Sequence, residues 1–357
     1  MAVLDHTPLG LVAAPTSTSA VVGGRRRRQA RVVSVTASLL AVLFALFCVA
    51  LSLGDMRIPI LDVVRTLVGA GDPASDFIVR ELRLPRAVLA VLTGAAFGLS
   101  GIVFQTLVRN PLASPDIIGI SFGASAAAVI GIIVLGLGGA AVSLLSFGGA
   151  LVTALAIYLL SWKNGVTGYR LVLVGIGVGA MLSSVVSYVI TRAEITSAAE
   201  ALVWLTGSLN AASWSAVGVL AVCLLFLVPA TLVLGRYLRQ LGLGDDAAQA
   251  LGVPIERARL ALMLVGVALA AVATAAAGPV AFVAFVAGPI AKRLVGHVGL
   301  ALVPAMVVGA VMMLGSDLVA QHALPSTQLP VGVVTGIVGA PYLIWLLVTT
   351  NRVGRGG

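Results

Sequence analysis

The sequence predicts an all-α polytopic membrane protein of about ten transmembrane helices, with both termini cytoplasmic. Three observations carry that expectation. The 357-residue chain is 60% apolar and only 10% charged, against about 25% charged in a soluble domain. Its mean hydropathy is +1.12. Its apolar runs recur at lengths near the roughly 20 residues that a helix needs to cross about 30 Å of hydrocarbon.

Residues 1–31 form a polar tail ending in Arg25, Arg26, Arg27, Arg28 and Arg31, expected to be disordered and cytoplasmic. The apolar run from Val32 to Leu53 is longer than the 7–15 residues of a signal-peptide core and has no small-residue cleavage site at a suitable distance. It reads as a retained first span. Residues 54–82 mix Asp55, Arg57, Asp62 and Arg65 with Ile58, Ile60, Val63 and Val64, which suits an amphipathic helix on the outer surface.

The second span is expected at about 85–108, opened by Pro85 and stopped by Asn110-Pro111. The third is expected at about 115–136, with Ser114 capping it and Pro115-Asp116 starting it. Spans four and five fall at about 140–161 and 169–190, joined by a Trp162-Lys163-Asn164-Gly165 turn. The sixth follows Trp204–Leu209 and ends near Gly235. Spans seven to ten are expected at about 258–276, 279–296, 300–320 and 329–349, the eighth distorted by Pro289. The permease body thus covers 32–350, with a cytoplasmic loop at 241–259 and a short cytoplasmic tail at 351–357.

Charge tests the count. With the N-terminus inside, six of the 22 basic residues (Arg57, Arg65, Arg80, Arg83, Arg86 and Arg192) fall outside and 16 fall inside, as the positive-inside rule requires. Shifting by one span puts a cluster on the wrong face. The net charge of +9 is therefore read as loop charge in a lipid bilayer, not as a nucleic-acid footprint.

Several function classes drop out. GxxxxGK[ST] does not occur in the sequence, so the chain has no ATPase motif of that kind. His6, His297 and His322 lack metal-ligand spacing, and Cys48 and Cys223 sit apart inside apolar runs. An ion-coupled carrier usually keeps carboxylates or histidines mid-membrane; the sole candidate is Asp317, near the outer end of span nine. Gly175, Gly177 and Gly179 spell GxGxG with no strand before them, which favours helix packing or a narrow transport path over a dinucleotide site.

Two surfaces remain. Outside, Arg83 and Arg86 stand one helical turn apart, two guanidinium forks suited to carboxylates of a partner protein; ordinary interfacial arginines are the alternative. Inside, Leu241–Arg259 carries Asp245 and Asp246 as helix-start signals and Gly252 with Pro254 as stops. That stretch reads as a helix of about two turns on which a cytosolic partner docks.

At these residues the chain resembles the permease family of type II ABC importers for ferric siderophores, haem and cobalamin. The resemblance runs through RLPR (Arg83–Arg86), Gly101 with Phe104-Gln105, RNPLASPDIIGISFGAS (Arg109–Ser125), WLTGSL (Trp204–Leu209), ALGVP (Ala250–Pro254), Gly278–Gly296 and Leu329–Leu347. It implies a second permease subunit, two cytosolic ATP-binding subunits that use ATP and Mg, and an extracytoplasmic substrate-binding protein, in a bacterial cytoplasmic membrane. It implies no cofactor on this chain. By position, Arg83 and Arg86 resemble arginines that meet the binding protein. Asp245, Asp246, Gln249, Leu251, Gly252 and Pro254 fall in the coupling helix that sits in an ATPase groove. Gly175, Gly177 and Gly179 fall beside the translocation pathway.

The chain departs from the family pattern at Gly288-Pro289-Ile290, where a Pro-His pair is usual, and at Gln321, where a docking arginine is usual. Such asymmetry suits one half of a heterodimeric permease. The implied cargo is a ferric siderophore, with cobalamin or haem as the alternatives. A secondary carrier or channel acting alone is the alternative from another class.

Overall fold

A computed structural model describes residues 18–54, 56–163, 168–296, 299–324 and 327–353. The expected tail before residue 18, the second half of the Trp162–Gly165 turn, His297 and the last four residues lie outside the described residues. Within them the chain is helical: α1 (Thr18–Ser52), α2 (Ile60–Leu67), α3 (Pro73–Asp76), a π-helical run (Phe77–Arg83), α4 (Leu84–Leu107), α5 (Ile120–Ile133), α6 (Gly139–Leu160), α7 (Gly168–Thr191), α8 (Ile195–Leu205), α9 (Trp214–Leu241), α10 (Asp245–Ala250), α11 (Ile255–Ala277), α12 (Val283–Leu294), α13 (Leu302–His322) and α14 (Val331–Val353).

Seven of these are long and apolar enough to cross a membrane. With α5, α12 and α14 they give a helix for each of the ten expected spans. The differences have local causes. The first helix starts at Thr18 and so runs 14 residues ahead of Val32, through the arginine run. The outer segment is not one amphipathic helix: α2 and α3 are separate, and from Pro73 the chain runs through the π-helical turns into α4 as one 35-residue rod.

The third span does not start at Pro115. Ser114 Oγ accepts the Ile117 N–H at 3.3 Å within a turn, Gly119 is left-handed (φ +92°), and α5 begins at Ile120. The eighth span begins at Val283, after a non-helical stretch in which Phe282 is left-handed (φ +69°). Alone, α5 and α12 measure about 21 and 18 Å, less than the bilayer. Irregular backbone at such depth survives where protein covers it.

The cover for the α11–α12 break is Trp204–Leu209. Ser208 N donates to Ala277 O at 2.8 Å and Gly332 N donates to Gly207 O at 3.2 Å. Gly207 (φ +70°) lies against the Pro279 carbonyl, where any Cβ would be 2.7 Å from it. Three segments far apart in sequence thereby satisfy one another's backbone groups at the outer end of the bundle.

Helix α4 is the hub, packed on α13, α11, α12 and α9; 78% of its apolar window is buried, against 11% for α7. Contact is close because the facing residues are small. Gly94 and Gly98 lie on the backbone of Ala305–Gly309, and Gly101 lies on the Ala284 carbonyl, the small-residue packing that lipid-embedded helices use.

The contact between α4 and α12 also repairs a defect. Pro289 has no N–H, so the carbonyl of Phe285, four residues back, loses its helical donor. Gln105 Nε2 supplies one at 2.8 Å. Gln105 is 2% exposed.

Candidate functional site

The polar chemistry gathers at the two ends of α4. At the outer end, Arg86 lies on a carboxylate of its own chain: its Nε is 3.1 Å and its Nη2 2.9 Å from the two sides of Asp317. Arg86 Nη1 also donates to Gln328 Oε1 at 3.1 Å. Gln321 Nε2 donates to Asp317 Oδ2 at 2.7 Å. Asp317 is 2% exposed and its charge is held by this two-pronged fork. Gln321 thus has a partner inside the chain.

Arg83, one turn earlier, points the other way. Its Nη1 donates to Leu51 O at 2.8 Å and Ser52 O at 3.1 Å, and its Nη2 donates to Met56 O. These carbonyls lie at and just beyond the C-terminal end of α1, where helix carbonyls lack intrahelical donors, so Arg83 caps α1. The two arginines flank a cavity of about 380 Å³ that Glu81, Asn210, Asp317 and Gln321 also line.

At the inner end, Asp245 is the first residue of α10. Its carboxylate accepts from Arg259 Nη2 on both oxygens, at 3.0 and 3.2 Å, and from Arg109 on Oδ1. Arg109 is left-handed (φ +56°) in the turn that ends α4, and Arg259 lies in the first turns of α11. The helix then stops as the sequence signals indicate. Gly252 is left-handed (φ +79°), Val253 N donates to Ala248 O at 3.0 Å and Gly252 N to Gln249 O at 2.9 Å. This is the Schellman arrangement, with Ala248 and Val253 buried beneath it.

What α10 presents outward is Asp246, Gln249, Leu251, Gly252 and Pro254, all exposed. Leu251 is 58% exposed and Leu243, just before the helix, 68%.

The three glycines of α7 separate. Gly175 lies against the Ile118 carbonyl and Gly179 against Phe122, so both serve the contact of α7 with α5 and its preceding turn. Gly177 has open space around it and is exposed. The structure therefore assigns packing to two of them and leaves the third facing out of this chain.

Among the described residues no group of three or more His, Cys, Asp or Glu side chains could hold a metal ion. Asp317 lies near the end of α13, as the sequence indicates, but its partners were missed. Sequence reasoning also missed Arg109 and Arg259 as neighbours of Asp245. The sequence signals were present, since each is a charge in or beside an apolar run, but the pairings span 231 and 136 residues.

The FecCD transport family model matches residues 13–349. The chain belongs to the FecCD transport family. It is similar to the ferric enterobactin transport system permease protein FepG of Escherichia coli (strain K12), 41% identical over 84% of this chain and 91% of that one. It is similar to the achromobactin transport system permease protein CbrC of Dickeya dadantii (strain 3937), 40% identical over 91% and 95%. It is similar to the iron(3+)-hydroxamate import system permease protein FhuG of Bacillus subtilis (strain 168), 36% identical over 90% and 97%. Among solved structures, an inward-facing metal-chelate type ABC transporter matches with a TM-score of 0.75 at 26% identity, over 88% of this chain and 99% of that one. This FecCD member is a multi-span permease of the type II ABC importer class, in the cytoplasmic membrane.

Proposed function

We propose that this permease carries a ferric siderophore inward across the cytoplasmic membrane by alternating access, driven by two cytosolic ATP-binding subunits. It works as one half of a permease dimer and receives cargo from an extracytoplasmic binding protein. The observation that carries the cargo assignment is the near full-length similarity to permeases for ferric enterobactin, achromobactin and iron(3+)-hydroxamate, all iron-chelate systems. ATP and Mg belong to the partner subunits, and this chain holds no cofactor.

The docking faces follow the two ends of α4. The outward face of α10, with Asp246, Gln249 and Leu251, is the ATPase contact; its exposed leucines and defined helix ends support that reading. The mouth of the outer cavity, between Arg83 and Arg86, is the binding-protein contact. There a partner's carboxylates must share guanidiniums that already hold α1 and Asp317. Gly177, facing out of the chain, is assigned to the pathway shared with the second permease.

The test is uptake into liposomes carrying the whole complex, with radiolabelled ferric enterobactin and ferric hydroxamate offered beside cobalamin and haem. Accumulation of a ferric chelate supports the assignment. Accumulation of cobalamin or haem alone overturns it.

A further inference from the structure

We infer that Asp245 is the link through which movement of α10 reaches α7, by way of Arg109 and the 110–119 turn, and that it is not itself an ATPase contact. The inference deepens the reading of α10 as the ATPase-facing helix and rests on it.

Asp245 differs from the outward residues in being ion-paired within the chain. Arg259 Nη2 spans both carboxylate oxygens at 3.0 and 3.2 Å, and Arg109 shares Oδ1 with it. Helix α10 packs on α9 and α11, the two helices it joins, so displacement reaches those through the chain itself. Those two helices also pack on α4; the Asp245–Arg109 bond adds a direct contact from α10 to the turn after α4.

That turn is held as a unit. Asn110 Oδ1 accepts the Leu112 N–H at 2.9 Å, Ala113 N donates to Asn110 O at 3.1 Å and Ile118 N to Ser114 O at 3.0 Å. Its far end lies on α7: a Cβ on Gly119 would be 2.6 Å from the Gly175 carbonyl, and one on Gly175 would meet the Ile118 carbonyl. Such backbone-to-backbone contact leaves no slack, so displacement of the turn must displace α7 or open the contact. The charged junction is the weakest member of this series: the side chains of Arg109 and Asp245 are 45% and 47% exposed, and exposed pairs are screened by salt.

The experiment uses the full complex with its ATPases, in liposomes, with Cys48 and Cys223 replaced by alanine and Gly177→Cys as a reporter on α7. Maleimide labelling is timed with and without ATP plus vanadate. The parent is expected to show a nucleotide-dependent change in labelling rate. Asp245→Asn and Arg109→Gln should each shrink that change about two- to fivefold, the range an exposed ion pair supplies, while the ATPases still co-purify. The double variant should be no worse than either single one, Asp245→Glu should retain the change, and added salt should reduce it in the parent.

A parent without the change, a full change in Asp245→Asn, or additive losses in the double variant would each overturn the inference. Loss of the ATPases from Asp245→Asn would make that residue a docking contact and overturn it too. Retention of the ATPases by Leu251→Asp would instead count against α10 as the ATPase-facing helix, so the two failures read differently.

Discussion

Arg86 holds Asp317 in a two-pronged ion pair at 2.9 and 3.1 Å, joining the outer end of α4 to the outer end of α13. The pair sits among helices already in backbone contact at Gly94, Gly98 and Gly309. It gives that helix pair a polar fastening at the membrane surface, and Gln321 and Gln328 fill the remaining hydrogen-bonding directions.

Removing one partner should cost more than removing both. Arg86→Gln leaves a carboxylate that is 2% exposed without its cation, a loss of about 3–5 kcal/mol for a buried pair broken from one side. Arg86→Gln with Asp317→Asn should recover much of that. Thermal unfolding of the detergent-purified chain reads the difference; equal loss in both variants contradicts the account.

The Gln105 amide should matter because of Pro289. Gln105→Leu strands the Phe285 carbonyl and should cost about 1–3 kcal/mol. In a Pro289→Ala background the helix regains its own donor, so the same substitution should cost less. Melting temperatures of the parent and the three variants close the cycle, and an unchanged cost of Gln105→Leu would sever the connection.

The α7 glycines should respond unequally. Gly175→Ala drives a Cβ into the Ile118 carbonyl and should lose about 1–3 kcal/mol, as overpacked sites do. Gly177→Ala meets nothing within 4 Å in this chain and should hold or slightly raise the melting temperature, since a helix-interior glycine costs about 0.5–1 kcal/mol relative to alanine. Size-exclusion profiles and melting curves of the two variants test this; equal damage would refute the separation of roles.

Hydropathy made the ten spans legible because each crossing must be apolar whatever its neighbours. Their ends were less legible. The residues just before α5 and α12, Ile117-Ile118 and Val280-Ala281, are apolar too, yet the chain is non-helical up to the positive φ at Gly119 and Phe282, with Gly119 against the Gly175 carbonyl. The sequence showed Arg83, Arg86, Asp245 and Asp317 as charges. Whether each faces a partner protein or its own chain depends on contacts 14 to 231 residues away, which periodicity does not encode.

The outward face of α10 should bind the ATPases. Leu251→Asp with Gln249→Arg should sharply reduce the ATPase recovered with an affinity-tagged permease, without lowering the amount of permease in the membrane. Normal recovery would move the contact elsewhere.

The central claim is that transport here runs on ATP. The most direct measurement is uptake of a ferric chelate into liposomes holding the complete complex, with the proton gradient collapsed by an ionophore. The account predicts that uptake requires ATP and survives the collapse. Uptake that needs no ATPase and stops with the gradient would contradict it.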